Sequence, residues 1–284
     1  MASEWKEDQH NDWCPGCGDF GILSALQMSL AKSDAEPHRT AIYSGIGCSG
    51  KTNQYVKAYG VHTLHGRVLP FATGQKLANP DLEVIALGGD GDAYGIGAGH
   101  FVNAGRRNVD LAYMVHDNNV YGLTKGQAAP TLARGKQTKS LSSGNLNDRV
   151  DPLALALASG FTWVGRANAF DVAGLADLIT QARTHRGTAI LDVLQPCPTY
   201  NDLWGKDELG DCHPWDEPVT TGEDDRAARA QAMQQVYGGD GMEVGVLFQA
   251  DVPTYEERIG LDDPPVNVAG GPKRAETLLD VLRP

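Results

Sequence analysis

Apolar residues in the first 200 positions fall into short runs separated by polar, glycine-rich junctions. The runs at 40–44 (TAIYS), 83–89 (EVIALGG), 110–116 (DLAYMVH), 161–164 (FTWV) and 188–194 (TAILDVL) predict strands. The last is apolar on both faces, as a buried strand of a parallel sheet requires. Helices fall between them. Asp151 and Pro152 supply an N-cap and a first-turn proline to a helix that Gly160 ends, and Asp171 caps another that runs toward Gly187. A Gly/Ala-rich helix is predicted over 93–105 and a further one from about Asp19. This alternation predicts an α/β fold with a doubly wound, mostly parallel sheet.

In such sheets, ligands bind beyond the carboxyl ends of the strands. The polar loops here follow the strands: GIGCSGK (45–51), GDGD (89–92), DNNVYG (117–122) and QPCPTY (195–200). Their gathering at one sheet edge predicts a single site.

Charge divides the chain of 284 residues unevenly. Residues 1–200 hold 18 acids and 17 bases, whereas 201–284 hold 18 acids and 7 bases, which accounts for nearly all of the net charge of −12. We therefore expect a body at 1–203 and an acidic extension at 204–284. That extension is either a solvated arm or a segment wrapping a partner or the cofactor site, with one strand-like run at 242–249. The negative balance argues against a nucleic-acid partner or an acidic membrane surface. No apolar run approaches the ~18 residues of a membrane span, and the first ten residues lack the layout of a signal peptide. A cytoplasmic protein is expected.

The loops carry the chemistry. In Gly89-Asp90-Gly91, a carboxylate between glycines, after a strand and before a helix, suits a hard divalent cation beside a phosphate. A tight turn is the commoner meaning of this triplet alone. Asn118, one strand further on, supplies an amide oxygen for a Mg²⁺ shell. Of the five cysteines, Cys14 and Cys17 form a C-x-x-C pair, and Cys48 and Cys197 lie in two of the strand-end loops. Four thiolates hold a [4Fe–4S] cluster or a structural zinc ion. Cys212, in the extension, reads as a free thiol.

These motifs resemble a known family. WCPGCGDFGILSAL, YSGIGCSGKT, GVHTLHGRVLPFATG, GGDGDAYGIGAGHF, NNVYGLTKGQ and LQPCPTYN, spread over about 11–203, are similar to the β subunit of the 2-oxoacid:ferredoxin oxidoreductases, closest to the 2-oxoglutarate (Kor-type) branch. The resemblance implies the pyrophosphate-binding type of thiamine-diphosphate fold. It implies Cys14, Cys17, Cys48 and Cys197 as [4Fe–4S] ligands, and Asp90, Asn118 and the Val120 carbonyl around Mg²⁺. Around thiamine diphosphate it implies Ile46, Gly47, Cys48, Ser49, His65, Gly89, Gly91, Asp92, Gly122, Leu123 and Thr124. The implied activity is oxidative decarboxylation of 2-oxoglutarate to succinyl-CoA, or its reverse, with electrons passing through the cluster to ferredoxin. Rival readings are a pyruvate or broad 2-oxoacid enzyme, a non-redox thiamine enzyme with zinc or empty cysteines, and a cluster scaffold without thiamine chemistry.

Two further expectations concern single residues. Lys51 either pairs with the distal carboxylate of 2-oxoglutarate or neutralises a phosphate or surface carboxylate, while His65 and Arg67 are diphosphate donors and His62 is structural. Thiamine also needs an acidic side chain at its pyrimidine ring, and residues 1–200 contain only Glu4, Glu7, Glu36 and Glu83, none in a motif loop. The chain is thus expected to be half an active site. A larger α subunit would bring the pyrimidine half-site and the coenzyme A site, in a dimer of αβ heterodimers.

Overall fold

The computed structural model describes residues 2–33, 35–201, 205–222 and 226–261. Its strands are β1 (Thr40–Ser44), β2 (Tyr59–His62), β3 (Glu83–Gly89), β4 (Leu111–Asp117), the short pair β5 (Val120–Tyr121) and β6 (Gln127–Ala128), β7 (Trp163–Asn168), β8 (Thr188–Leu194), β9 (His213–Pro214), β10 (Val219–Thr221) and β11 (Glu243–Ala250). The α-helices are α1 (Asp19–Lys32), α2 (Val68–Ala78), α3 (Ala98–Arg107), α4 (Pro152–Ser159), α5 (Val172–Thr184), α6 (Lys206–Gly210), α7 (Arg226–Gly238) and α8 (Tyr255–Arg258). One sheet runs in the order β10-β11-β7-β8-β4-β3-β1-β2, with β9 beside β11. From β7 to β2 every pairing is parallel, and β11 joins β7 antiparallel. The fold is α/β with a mostly parallel, doubly wound sheet.

Alternation of side chains sorts the core onto two faces. In β3, Ile85 and Leu87 pack with Ile22, Leu26 and Leu30 of α1 and Leu175 and Ile179 of α5, while Val84 and Ala86 face the opposite layer. That layer holds Leu69 of α2, Phe101 of α3, and Leu153 and Leu157 of α4. The caps foreseen from sequence are formed: the Asp151 side chain accepts from the Leu153 and Ala154 amides, and Gly160 closes α4 at φ +95°.

Several elements differ from expectation, for physical reasons. The strand expected at 161–164 begins at Trp163, because Phe161 turns into the core against Phe101, 4.5 Å between ring centroids. The helix expected over 93–105 is broken: Gly91–Ile96 forms a wide turn, Gly95 leaves helical geometry, and α3 starts afresh at Ala98. A side chain at Gly97 would sit 2.3 Å from the Asp92 carbonyl, so the break rests on close backbone approach. β2, α2 and α7 were not foreseen. β2 is a short, largely exposed edge strand, and α7 fully buries only Ala232, so neither carries a strong apolar pattern.

Part of the acidic extension completes the sheet. Leu247, Phe248 and Ala250 of β11, with Val219 and Ala232, lie in the core beside α4. Buried Arg166 of β7 donates to Asp192 Oδ2 of β8 (3.1 Å) and to the Gly241 carbonyl (3.1 Å), tying the extension to the parallel strands. Residues 262–284 of the extension lie outside the described residues.

Candidate cofactor site

The chain leaves β1 outward to β2, then crosses back to β3 on the other side of β1. This reversal opens a crevice beyond the carboxyl ends of β1 and β3, where ligands of such sheets bind. A cavity of about 200 Å³ occupies it. Its lining brings together Ile46, Gly47, Cys48, Ser49, His65, Gly89, Asp90, Gly91, Asp92, Asn118, Val120, Gly122, Leu123 and Thr124, joined by His116 and Tyr121. Ile46 and Leu123 stand exposed at its mouth.

Asp92 organises one wall. Its Oδ1 accepts from the Ile46 amide (3.1 Å), the Gly66 amide (2.8 Å) and His65 Nδ1 (3.0 Å), drawing three loops together, while its buried Oδ2 has no partner. Gly45 makes room for it, since a Cβ there would lie 2.4 Å from Oδ1.

Asp90 lies deeper. Oδ1 accepts from the Gly91 amide (2.9 Å), and Oδ2 is 2.6 Å from Thr131 Oγ1, which is also 2.7 Å from Asp117 Oδ1. One hydroxyl hydrogen cannot serve two carboxylates at once. Burial pushes Asp90 up to about 6, against the hydrogen bonds that favour its charge. Burial and the neighbouring Asp90 raise Asp117 further. A divalent cation reverses this penalty, so the residues fit Mg²⁺.

Asn118 opens a turn in which Asn119 takes the left-handed conformation (φ +62°), one that Asn tolerates. Its Oδ1 accepts from the Val120 amide (3.1 Å), and its Nδ2 donates to Gln195 Oε1 (2.6 Å).

The cysteines converge behind these loops. A Cβ at Gly122 would lie 3.6 Å from Cys48 Sγ and 3.8 Å from Cys197 Sγ, so both sulfurs stand beside this glycine. The Cys14–Cys17 turn is closed by Cys17 N–H to Cys14 O (3.0 Å) and docked by Gly18 N–H to Pro196 O (3.1 Å). Burial pushes Cys48 up to about 12, with Asp19 and the Cys197 and Cys14 sulfurs adding to it against Lys51, and Cys17 and Cys197 also rise. A metal held by these sulfurs would have to displace their protons, since cysteine ligates as thiolate. Tetrahedral zinc at ~2.3 Å from each sulfur needs sulfurs ~3.8 Å apart. Among the described residues, only His213, Asp240 and Glu243 bring three such ligand atoms within 4.8 Å of one another. The cysteine sulfurs are not gathered that closely, which argues against tetrahedral zinc in this arrangement.

Lys51 is not brought to the cavity. Its Nζ pairs with Asp12 Oδ2 (2.9 Å), and Tyr55 OH donates to Asp12 Oδ1 (2.9 Å). Trp13 Nε1 donates to the Cys48 carbonyl (2.8 Å), so these contacts strap the segment carrying Cys14 and Cys17 against the Cys48 loop. Arg67 donates to the Gly66 carbonyl (3.1 Å) and does not line the cavity. Glu83 pairs with Arg183 at the amino end of β3, away from the site. Cys212 is free and half-buried, apart from the other cysteines.

Sequence reasoning missed His116, Asp19 and Gln195. His116 Nδ1 lies 2.6 Å from Asp19 Oδ1, and both residues are buried. Cys17 Sγ donates to Asp19 Oδ2 (3.3 Å), and His116 Nε2 is buried without a partner at the cavity. Residues 97 positions apart carry no joint signal in a single chain.

Residues 45–193 match the family model described as the C-terminal thiamine-pyrophosphate-binding domain of thiamine pyrophosphate enzymes. A 2-oxoacid:ferredoxin oxidoreductase subunit beta of Saccharolobus solfataricus is 51% identical, over 94% of this chain and 92% of that protein. A subunit beta of 2-oxoacid:ferredoxin oxidoreductase 1 of Aeropyrum pernix is 46% identical over 95% of this chain and 88% of its own length. The 2-oxoglutarate oxidoreductase subunit KorB of Mycobacterium tuberculosis is 43% identical over 71% of this chain and 54% of its own. Among solved structures, a 2-oxoglutarate:ferredoxin oxidoreductase from Magnetococcus marinus, with 2-oxoglutarate, coenzyme A and succinyl-CoA bound, superposes with a TM-score of 0.86 at 32% identity. The match covers 100% of this chain and 96% of that one.

Proposed function

The chain belongs to the 2-oxoacid:ferredoxin oxidoreductase β-subunit family, and from that membership we propose that it is the thiamine- and cluster-binding half of an enzyme oxidising 2-oxoglutarate to succinyl-CoA. One observation carries the reading. The crevice at the β1–β3 reversal holds the Asp90 and Asn118 oxygens, and Cys48 belongs both to that crevice and to the group of four cysteines.

Bound thiamine diphosphate would supply the carbon nucleophile and electron sink for decarboxylation of a 2-oxoacid. The chain's own residues would hold it there. Asp90 and Asn118, with the Val120 carbonyl, would ligate Mg²⁺, and the amides of the 46–49 loop would face the diphosphate. Asp92 fixes His65 by accepting from its Nδ1, which leaves Nε2 to meet the ligand. Buried His116 Nε2 offers a second imidazole contact. Cys14, Cys17, Cys48 and Cys197 would hold a [4Fe–4S] cluster. Cys48 lies in the cofactor loop itself, so the electron path to the cluster would be short. Ferredoxin is the proposed acceptor, and an acidic ferredoxin would dock nearer the cluster than the extension.

The site lacks a pyrimidine-facing glutamate among the described residues lining it. Exposed Ile46, Leu64, Ile96 and Leu123 on the loops around its mouth suit the apolar surface of the α subunit. That subunit would complete the site and bring coenzyme A, in a dimer of αβ heterodimers in the cytoplasm. No helix among the described residues is long and apolar enough to cross a membrane.

A broad 2-oxoacid specificity is the second reading. Among sequence relatives, those matched over nine-tenths of this chain are named for 2-oxoacids and those named for 2-oxoglutarate match about 70% of it or less, although the 2-oxoglutarate enzyme of known structure matches all of it. Anaerobic EPR of the αβ complex tests both. Adding 2-oxoglutarate or pyruvate without coenzyme A should produce a reduced-cluster signal with 2-oxoglutarate alone; equal signals favour the broad enzyme. Silence with both acids, despite bound iron and thiamine, rejects the redox reading.

A further inference from the structure

Gln195 lies between the two groups of ligands just assigned. It is 1% exposed and follows the last residue of β8, with its amide donating to the Asp117 carbonyl at 2.9 Å. Its side chain reaches Asn118 on one side and Cys17 on the other. Oε1 accepts from Asn118 Nδ2 at 2.6 Å, and Nε2 stands 3.2 Å from Cys17 Sγ and 3.1 Å from the Pro196 carbonyl.

The orientation of this amide follows from its partners. Oxygen and nitrogen of a carboxamide are told apart only by the network around them. The Val120 backbone N–H can only donate, so the Asn118 atom it meets is oxygen. Asn118 therefore turns its NH₂ toward Gln195, and the atom of Gln195 that receives it is oxygen. The other end of Gln195 is then NH₂, facing the Pro196 carbonyl and the Cys17 sulfur. Each contact agrees with the others, and the reverse orientation would set NH₂ against NH₂ and oxygen against a carbonyl.

We infer that Gln195 is a positioning residue shared by the two centres: its oxygen holds the Asn118 amide so that the second lone pair of the Asn118 oxygen, beyond the one that accepts from Val120, is left for the cation, and its N–H hydrogen-bonds the Cys17 sulfur and raises the reduction potential of the cluster. The inference rests on the reading of Cys17 and Asn118 as ligands proposed above. A donor on a cluster sulfur stabilises the reduced, more negative state, and hydrogen bonds to sulfur are among the main settings of cluster potential. Asp19 acts on the same sulfur in the opposite sense. Its carboxylate, 3.3 Å from Cys17 Sγ, is partly offset by His116. Gln195 supplies the donor that balances it. Partners of metal ligands commonly govern both ligand orientation and the properties of the metal.

Two substitutions separate the two ends of the amide. Gln195→Glu keeps an oxygen for Asn118 Nδ2 and loses the donor to Cys17. Gln195→Leu loses both. In the αβ complex, an EPR-monitored redox titration should show the cluster midpoint moved to more negative potential in both variants. Mg²⁺ affinity, read by thiamine-diphosphate binding at graded Mg²⁺, should fall about 10-fold or more only in Gln195→Leu. An intact cluster whose potential is the same in wild type and both variants overturns the inference and leaves the function reading standing. A wild-type complex without iron overturns the function reading, and this inference with it.

Discussion

At the scale of single residues, Lys51 shows how a position beside a cofactor loop can serve by holding a neighbouring segment rather than by touching the ligand. It is held by Asp12, itself held by Tyr55, and this pairing ties the cysteine-bearing segment to the Cys48 loop. Lys51→Ala should lower turnover of 2-oxoglutarate and pyruvate to a similar degree and speed iron loss to a chelator. A loss confined to 2-oxoglutarate would instead assign Lys51 to the substrate's distal carboxylate. His185 is a second residue with a measurable consequence. Burial beside Thr162 lowers it from 6.5 to about 4, although Asp110 and Asp251 pull the other way. The unfolded chain takes up this proton near 6.5 and the fold resists it down to about 4. The stability tied to it is therefore whole above pH 6.5 and lost as pH falls toward 4. His185→Gln should shrink the difference in unfolding free energy between pH 7 and pH 5 by about 1 kcal/mol, a value reduced for its partial exposure. Urea titrations of both proteins at the two pH values check this, and an unchanged difference would refute it.

At the scale of elements, the N-terminus of α1 carries Cys17 and Asp19 into the site and must pack closely to do so. Gly21 faces the Ala169 carbonyl, and a Cβ there would lie 2.1 Å from that oxygen. Alanine is favoured over glycine inside a helix by about 1 kcal/mol. Here the contact is with backbone, which cannot rotate away, and the expected cost of overpacking is about 1–3 kcal/mol. Gly21→Ala should lower the melting temperature and the iron content together, and a rise in melting temperature would contradict the close approach. The elements most legible in sequence were those with strong local grammar. β1, β3 and β8 stand at their expected positions because each is a short apolar run bounded by turn residues. α4 was marked by Asp151, Pro152 and Gly160. β2 and α7 were hidden because an edge strand and a solvent-facing helix need little apolar pattern.

At the scale of the whole molecule, the acidic extension joins the fold that its charge had set apart. β11 caps the edge of β7, and each large apolar side chain it buries, such as Phe248, contributes about 1.5–3 kcal/mol. A chain ending at residue 203 would bare both that edge and the core beside α4. It should aggregate or bind a hydrophobic dye, as read by light scattering and dye fluorescence. A monodisperse, cooperatively folding fragment would show instead that 1–203 is an independent unit. The sequence by itself determined the alternating strands, the loops that follow them, and the residue types able to hold a cation and a cluster, because periodicity, caps and short motifs are local. Only the tertiary structure decided that Lys51 turns to Asp12, that Asp117 shares a hydroxyl with Asp90, and that Gln195 spans from Asn118 to Cys17. Those contacts join residues far apart in the chain, and their geometry exists only once the sheet order has brought the strand ends to one edge.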